Sequence, residues 1–344
     1  MNKKIDPKKA VGMSCYHFHP RWTDNYGDSI EDRLAEFEDV MRVGYFNSII
    51  VENAYLNNDE FWRIIFENDA VVWLNIYDSF ISKKHTWEDW IAPFDKELSI
   101  LRGNPERWDR FMGFHFDEPV WRGQSNDDFL TETRLLTEMY HKRIFPVFAT
   151  SEFTQQEGNA LMINIEMTDD RRLCGKALSY VTDVAFDSYS VDVREDGFGN
   201  GTHVDKMHGF VPGIVDGKTY YSELLKILLD MVGHDVNVWM FPTAYTCNTW
   251  AGPRIDEGFC IGHLDYMAEL MLEQKHPGGL CLYTYYQFRN PNELGLQSHL
   301  VVPDRTGAQR IRPDEPKWPE YSRKLREWCT RFKNTETDLV WEVK

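Results

Sequence analysis

The residues best placed to do chemistry are an acidic doublet, Asp117-Glu118, at the end of the apolar run Gly113-Phe114-His115-Phe116. Pro119 follows at once and stops both strand pairing and helix formation, so the doublet must emerge at a rim. Two carboxylates at the end of a buried strand are costly unless they are solvated, hydrogen-bonded or used. A carboxyl kept protonated beside a second carboxylate is what general acid and base catalysis requires. The plainer reading has Asp117 capping the loop and Glu118 simply exposed. A second candidate is His17-Phe18-His19, whose two imidazoles, one residue apart, suit metal ligation or bonding to hydroxyl groups. His115 shares strand parity with Asp117, so it either orients that carboxyl from within or is a core histidine.

These residues need a scaffold, and the chain supplies one by alternation. Short apolar or β-branched runs at Val11 to Phe18, Phe46 to Asn53, Val71 to Tyr77, Phe111 to Asp117, Ile144 to Ala149, Asp183 to Tyr189, Val236 to Thr243 and Gly279 to Tyr286 read as strands. Amphipathic segments of helical length alternate with them: Ser29 to Val43, Asn58 to Asn68, Trp87 to Leu101, Asp127 to Lys142, Asp169 to Val181, Tyr220 to Gly233, Asp256 to Lys275 and Trp318 to Phe332. Ser29 with Asp32 three residues on, and Asp127 ahead of Phe129 and Leu130, are local helix starts. Eight strand-then-helix units predict a parallel sheet closed into a single (β/α)8 TIM barrel, with a core at about residues 10–333 of one domain spanning 1–344. An open doubly wound sheet is the rival, but no Gly-x-Gly-x-x-Gly follows the first strand.

Composition narrows the partners. With 38 Lys plus Arg against 55 Asp plus Glu, the net charge of −17 opposes phosphate backbones and anionic membranes, so neither nucleic acid nor membrane is expected. The cysteines form no Cys-x-x-Cys pair and read as reduced, buried thiols, with Cys15 and Cys281 on neighbouring strands of a closed barrel. No cofactor motif is present, and no cofactor is expected. The polar start, Met1 to Lys9, lacks the apolar run of a signal peptide, which predicts a cytoplasmic protein unless a leader has been trimmed. The sequence leaves oligomeric state open.

In a parallel barrel the loops after the strands gather on one face. That register converges His17 and His19, Glu52, Tyr77, Asp117 and Glu118, Glu152, Asp187 and Tyr189, and Tyr285, with Trp121, Trp239 and Tyr245 as further aromatic contributors. Carboxylates, amides and aromatic faces on one rim suit a carbohydrate: the acids serve the glycosidic oxygen and anomeric carbon, and the rings stack on sugar faces.

With Phe116-Asp117-Glu118-Pro119 and the aromatic run Leu280-Cys281-Leu282-Tyr283-Thr284-Tyr285-Tyr286, the chain resembles barrel glycoside hydrolases whose general acid is a Glu ending the fourth strand. The resemblance implies Glu118 as acid/base. It departs at the seventh strand, where retaining members carry a nucleophilic Glu and Val236 to Tyr245 has no carboxylate. The adjacent Asp-Glu pair is similar to that of hexosaminidase families that work by substrate assistance. That similarity implies that Asp117 orients the substrate's own 2-acetamido group while Tyr189 or Tyr245 bonds its oxygen. A competing assignment pairs Glu118 with Asp187 across the mouth, retaining near ~5 Å of separation and inverting at ~6.5 to 9.5 Å. Two further readings stay open: a non-catalytic carbohydrate-binding barrel, and a metal-dependent hydrolase using His17 and His19, whose spacing resembles the first metal motif of amidohydrolases. The latter family also wants histidines where this chain has Ala149-Thr150 and Asp187.

Overall fold

The computed structural model describes residues 5–16, 29–76, 92–120, 122–153, 173–189, 192–194, 216–247, 255–285, 293–306 and 316–342. Eight parallel strands form a nearly closed barrel: β1 (Gly12–Cys15), β2 (Ser48–Val51), β3 (Val71–Asn75), β4 (Phe111–Asp117), β5 (Arg143–Ala149), β6 (Asp183–Asp187), β7 (Asn237–Met240) and, as its eighth strand, β9 (Pro277–Leu282). Each overlaps an expected run, although the eighth spans Pro277–Leu282 where Gly279 to Tyr286 is expected. A short antiparallel pair, β8 (Tyr245–Cys247) with β10 (Glu293–Gly295), lies outside the barrel and was not expected.

The sheet runs β1-β9-β7-β6-β5-β4-β3-β2. The remaining seam, between β1 and β2, is closed largely by one side chain. Asn47 accepts the Met13 N–H at 2.6 Å and donates to the Val11 carbonyl at 3.0 Å, while its own N–H reaches the Met13 carbonyl at 3.1 Å. An amide side chain thus stands in for missing ladder bonds.

Helices cover the outside for local reasons. Ser29 and Asp32 cap each other reciprocally at the start of Ile30–Val43, and Gly44, at φ 84°, ends it in the left-handed conformation. Asp216 and Asp256 likewise cap Gly217–Val232 and Glu257–Leu272. The expected start at Asp127 is off by one residue: Ser125 is the cap of Asn126–Tyr140, and Asp127 sits in its first turn. Two expectations are corrected. The segment expected to be helical up to Val181 contains, in its described part, only the 3-10 turn Gly175–Leu178, and a short helix, Pro105–Arg110, leads into β4. Pro105 at the first helical position and Asn104 as cap make that helix locally favourable despite its lack of buried residues.

Two apolar layers result. Phe114 and Phe116 face outward from β4, against Tyr140 (ring centroids 5.4 Å apart) and Phe129 (5.3 Å) of the covering helix. Each buried Phe contributes about 1.5–3 kcal/mol. Inside the barrel Trp73, Phe145 and Trp239 interlock, with Phe145 stacked on Trp239 at 4.7 Å. Among the described residues no helix is long and apolar enough to cross a membrane. Cys15, Cys260, Cys281 and Cys329 are buried free thiols, and Cys174 is an exposed one.

Candidate active site

β4 delivers the acidic doublet to the mouth of the barrel by means of a local irregularity. The β3–β4 register shifts between Val72 and Trp73, and Gly113 sits in the shift, where a Cβ would lie 2.0 Å from the Arg143 carbonyl oxygen. Only glycine fits that close approach. Beyond it the strand alternates regularly, so His115 and Asp117 face inward while Phe114 and Phe116 face out. Glu118 then takes φ 46°, a left-handed conformation that costs a non-glycine residue about 1 kcal/mol or more. Its N–H still bonds the Val147 carbonyl of β5 at 2.9 Å, and its own carbonyl accepts from Arg122 N at 2.9 Å. Strain is therefore held at the residue that carries the candidate acid.

The Glu118 carboxyl lies in hydrogen-bonding contact with Asp187, from the end of β6. Asp187 Oδ2 accepts the Tyr189 hydroxyl at 3.1 Å, while its buried Oδ1 receives no N–H or O–H among the described residues. Two carboxyl groups in contact must share a proton. Burial, and then the charges of Asp187 and Asp117, push Glu118 well above the usual carboxylate range, with Arg122 opposing. Burial, with Asp117 and Glu152 adding, pushes Asp187 up to about 7. Asp117 is held differently: Arg122 bonds its Oδ2 and, through Nε, its carbonyl at 3.0 Å, and the Tyr16 hydroxyl bonds its carboxylate. The same guanidinium lies 3.1 Å from Glu118 Oε2.

Tyrosines wall this cluster. Tyr283 stacks on Tyr189 at 4.3 Å and lies 6.0 Å from Tyr16, and Tyr245 meets both Tyr189 and Tyr283 edge-on. The stack holds the Tyr189 hydroxyl against Asp187.

Of the residues expected at the mouth, Asp117, Glu118, Asp187, Tyr189 and Tyr245 come together. Tyr189 is engaged with Asp187, so its hydroxyl serves a carboxylate of the site. Glu52 follows the end of β2 at Val51, half-buried, and leads into the turn Asn53–Tyr55. Three expectations are corrected. Trp239 is no sugar platform: it lies in the floor of the barrel, where Gly12, Gly278 and Gly279 leave room for its indole and Nε1 donates to Asp183 at 2.8 Å. Tyr285 is fully buried and turned outward to Glu36 of the first helix, its hydroxyl 3.0 Å from Oε1. His115 is buried beneath the mouth between Tyr16 and Phe145, with no hydrogen-bond partner for either ring nitrogen among the described residues, so it does not orient Asp117. Burial drives its proton affinity down, to about 3, and keeps it neutral. His17, His19, Tyr77 and Trp121 lie outside the described residues.

The sequence reading missed Arg122, Tyr16 and Tyr283. Arg122 had a signal in its spacing, four and five residues after the doublet, which one turn of chain brings back onto it. Tyr283 lies in the aromatic run Leu280 to Tyr286, just past the end of β9 and two residues after inward Cys281.

No family model matches the chain, and no curated protein matches it either. Its fold is similar to that of solved structures at very low identity. One is an endoglucanase, at TM-score 0.52 and 11% identity, covering 94% of this chain and 99% of that one. Others are an endo-1,4-beta-D-mannanase from Thermotoga petrophila (TM-score 0.46, 11% identity, 94% and 100% covered) and an endo-alpha-mannosidase from Bacteroides thetaiotaomicron (0.47, 8%, 88% and 80%). This chain has a TIM-barrel fold, and at such identity its likeness to the endoglucanase is one of fold.

Proposed function

We infer that this protein is a glycoside hydrolase that cleaves a glycosidic bond with Glu118 as general acid/base and Asp187 as its partner carboxylate. The observation that carries the reading is the Glu118–Asp187 carboxyl contact at the C-terminal mouth of the barrel, walled by tyrosines. With Asp187 as nucleophile the reaction is a retaining one, which requires the two carboxyl groups to stand about 5 Å apart once the sugar is bound. In the first step Glu118 gives its proton to the leaving oxygen as Asp187 attacks the anomeric carbon and forms a glycosyl ester. In the second, ionised Glu118 takes a proton from water, whose oxygen displaces Asp187 and restores the acid. The sugar must part the two carboxyl groups to reach Asp187. The barrel shared with an endoglucanase supports this class of activity.

A second reading keeps the substrate's own 2-acetamido group as nucleophile. It is favoured by the seventh-strand end, Phe241 to Tyr245, which offers no carboxylate. With the Asp117 carboxylate held by Arg122 and Tyr16, the acetamido partner in that reading is better filled by Asp187 with Tyr189. Aryl glycosides with and without the 2-acetamido group, followed by NMR of the first-formed anomer, test both. Equal rates on the two sets remove substrate assistance, an inverted product removes Asp187 as nucleophile, and no turnover across neutral glycosides removes the hydrolase.

A further inference from the structure

We propose that Arg122 is a positioning residue for the hydrolysis, one guanidinium that holds both acids of the doublet in register and keeps the Glu118 proton releasable to the leaving oxygen. This rests on the assignment of Glu118 as the acid. The turn after β4 is built for the grip: Arg122 N bonds the Glu118 carbonyl at 2.9 Å, which folds the side chain back so that Nε reaches the Asp117 carbonyl at 3.0 Å while Nη2 reaches Asp117 Oδ2 and lies 3.1 Å from Glu118 Oε2. A planar fork meets three acceptors that a point-charge ammonium could not meet together.

The surroundings give the charge its purpose. Glu118 faces Asp187 and Tyr189 from the end of β6, with Tyr16 from β1, Tyr283 after β9 and Glu152 after β5 around the same cluster. Among the described residues the other ionisable groups named there are acidic or phenolic, the buried His115 beneath them stays neutral, and burial adds to their effect. A proton in that setting is held too tightly to leave. Arg122 is the one cation among the described members of the cluster, and its field opposes the retention. Its partial exposure keeps it charged at little desolvation cost.

The test is the titration of Glu118, followed by NMR of protein carrying 13C-labelled Glu carboxyl groups, with the pH profile of kcat/KM on a glycoside with a poor leaving group, for wild type, Arg122→Met, Arg122→Gln and Arg122→Lys. Removing the charge in the Met and Gln variants is expected to move both the Glu118 midpoint and the alkaline limb upward by about 1 to 2 pH units. The Lys variant, which keeps the charge and loses the fork, is expected to hold the limb near wild type while kcat falls about tenfold. Two variants without the charge guard against one that fails to fold. A folded Met or Gln variant whose Glu118 midpoint does not move overturns the inference, even with activity lowered uniformly, which is what a packing role would give. A wild type inactive on every glycoside, with the midpoint still moving in the variants, overturns the hydrolase reading and leaves the electrostatic role of Arg122 standing.

Discussion

β6 carries two inward aspartates four residues apart, and the contrast between them separates the floor of this barrel from its mouth. Asp183 at the floor is fully satisfied. Arg143 binds both of its oxygens, Thr182 Oγ1 and Trp239 Nε1 each add a bond at 2.8 Å, and the guanidinium lies between the rings of Trp73 (4.9 Å) and Trp341 (5.3 Å). Asp187 at the mouth has one phenol on Oδ2, an Oδ1 bonded by no N–H or O–H of the described residues, and another carboxyl in contact. The same residue type on the same face of one strand is thus a structural ion at one end and a proton-sharing acid at the other. What differs is whether arginine supply matches carboxylate supply. Where it matches, the charge is locked; where one arginine serves Asp117 and Glu118 and leaves Asp187 against Glu118, a proton must make up the balance.

That comparison can be broken at several points. Glu118→Gln removes the shared proton's owner and is expected to lower turnover of a glycoside with a poor leaving group by about 10²- to 10⁴-fold, with the fold retained by circular dichroism. Full activity would make the mouth as structural as the floor. Arg143→Met leaves Asp183 buried without its partner and is expected to cost about 3 to 5 kcal/mol in urea unfolding. A loss below about 1 kcal/mol would mean that the floor tolerates an unpaired acid as the mouth does.

Asp187→Asn probes the mouth in the opposite sense. With Asp187 raised to about 7, the folded chain binds more protons than the unfolded chain between about pH 4 and pH 7. Wild-type stability therefore falls as pH rises through that window, by up to ~1.4 kcal/mol per pH unit for each proton involved. The Asn variant is expected to flatten the fall and to be the more stable protein at pH 8, although inactive, as followed by thermal melts from pH 5 to 8. A variant less stable than wild type at pH 8 would show that the carboxylate is satisfied after all. The smallest effect is expected from Tyr189→Phe, which removes the hydroxyl on Asp187 and keeps the stack on Tyr283. A loss of about 1 kcal/mol in transition-state stabilisation, about fivefold in kcat/KM, is the expected outcome.

Much of this was legible before any coordinates. Every barrel strand overlaps a run chosen by apolar pattern and turn punctuation, because a strand covered on both faces has to be nearly continuous in Val, Ile, Phe and Leu. The ends of β4 and β6 gave Asp117, Glu118, Asp187 and Tyr189, since in a parallel barrel whatever ends a strand is delivered to one rim. The errors share one cause. Residue type and nearness to a strand end point to Trp239 and Tyr285, but depth in a barrel depends on stagger between strands. Trp239 pairs with Gly279, which pairs with Gly12, and those glycines place its ring in the floor layer. Tyr285 follows the end of β9 at Leu282, where the chain has left the ladder and its hydroxyl finds Glu36 on a helix 249 residues away in sequence.

The sequence by itself determined the class of fold and the identity of the acidic doublet, because both depend on local pattern: alternation of period, and a proline that ends a run in two carboxylates. Only the tertiary structure decided which third carboxylate meets them, that Arg122 turns back to grip them, and that Tyr16, Tyr189 and Tyr283 stack into one wall. Apart from the single turn that returns Arg122 to the doublet, those contacts join segments that are far apart in sequence. Their energies depend on burial and on the balance of charge within a few ångströms, quantities that exist only once the barrel has closed.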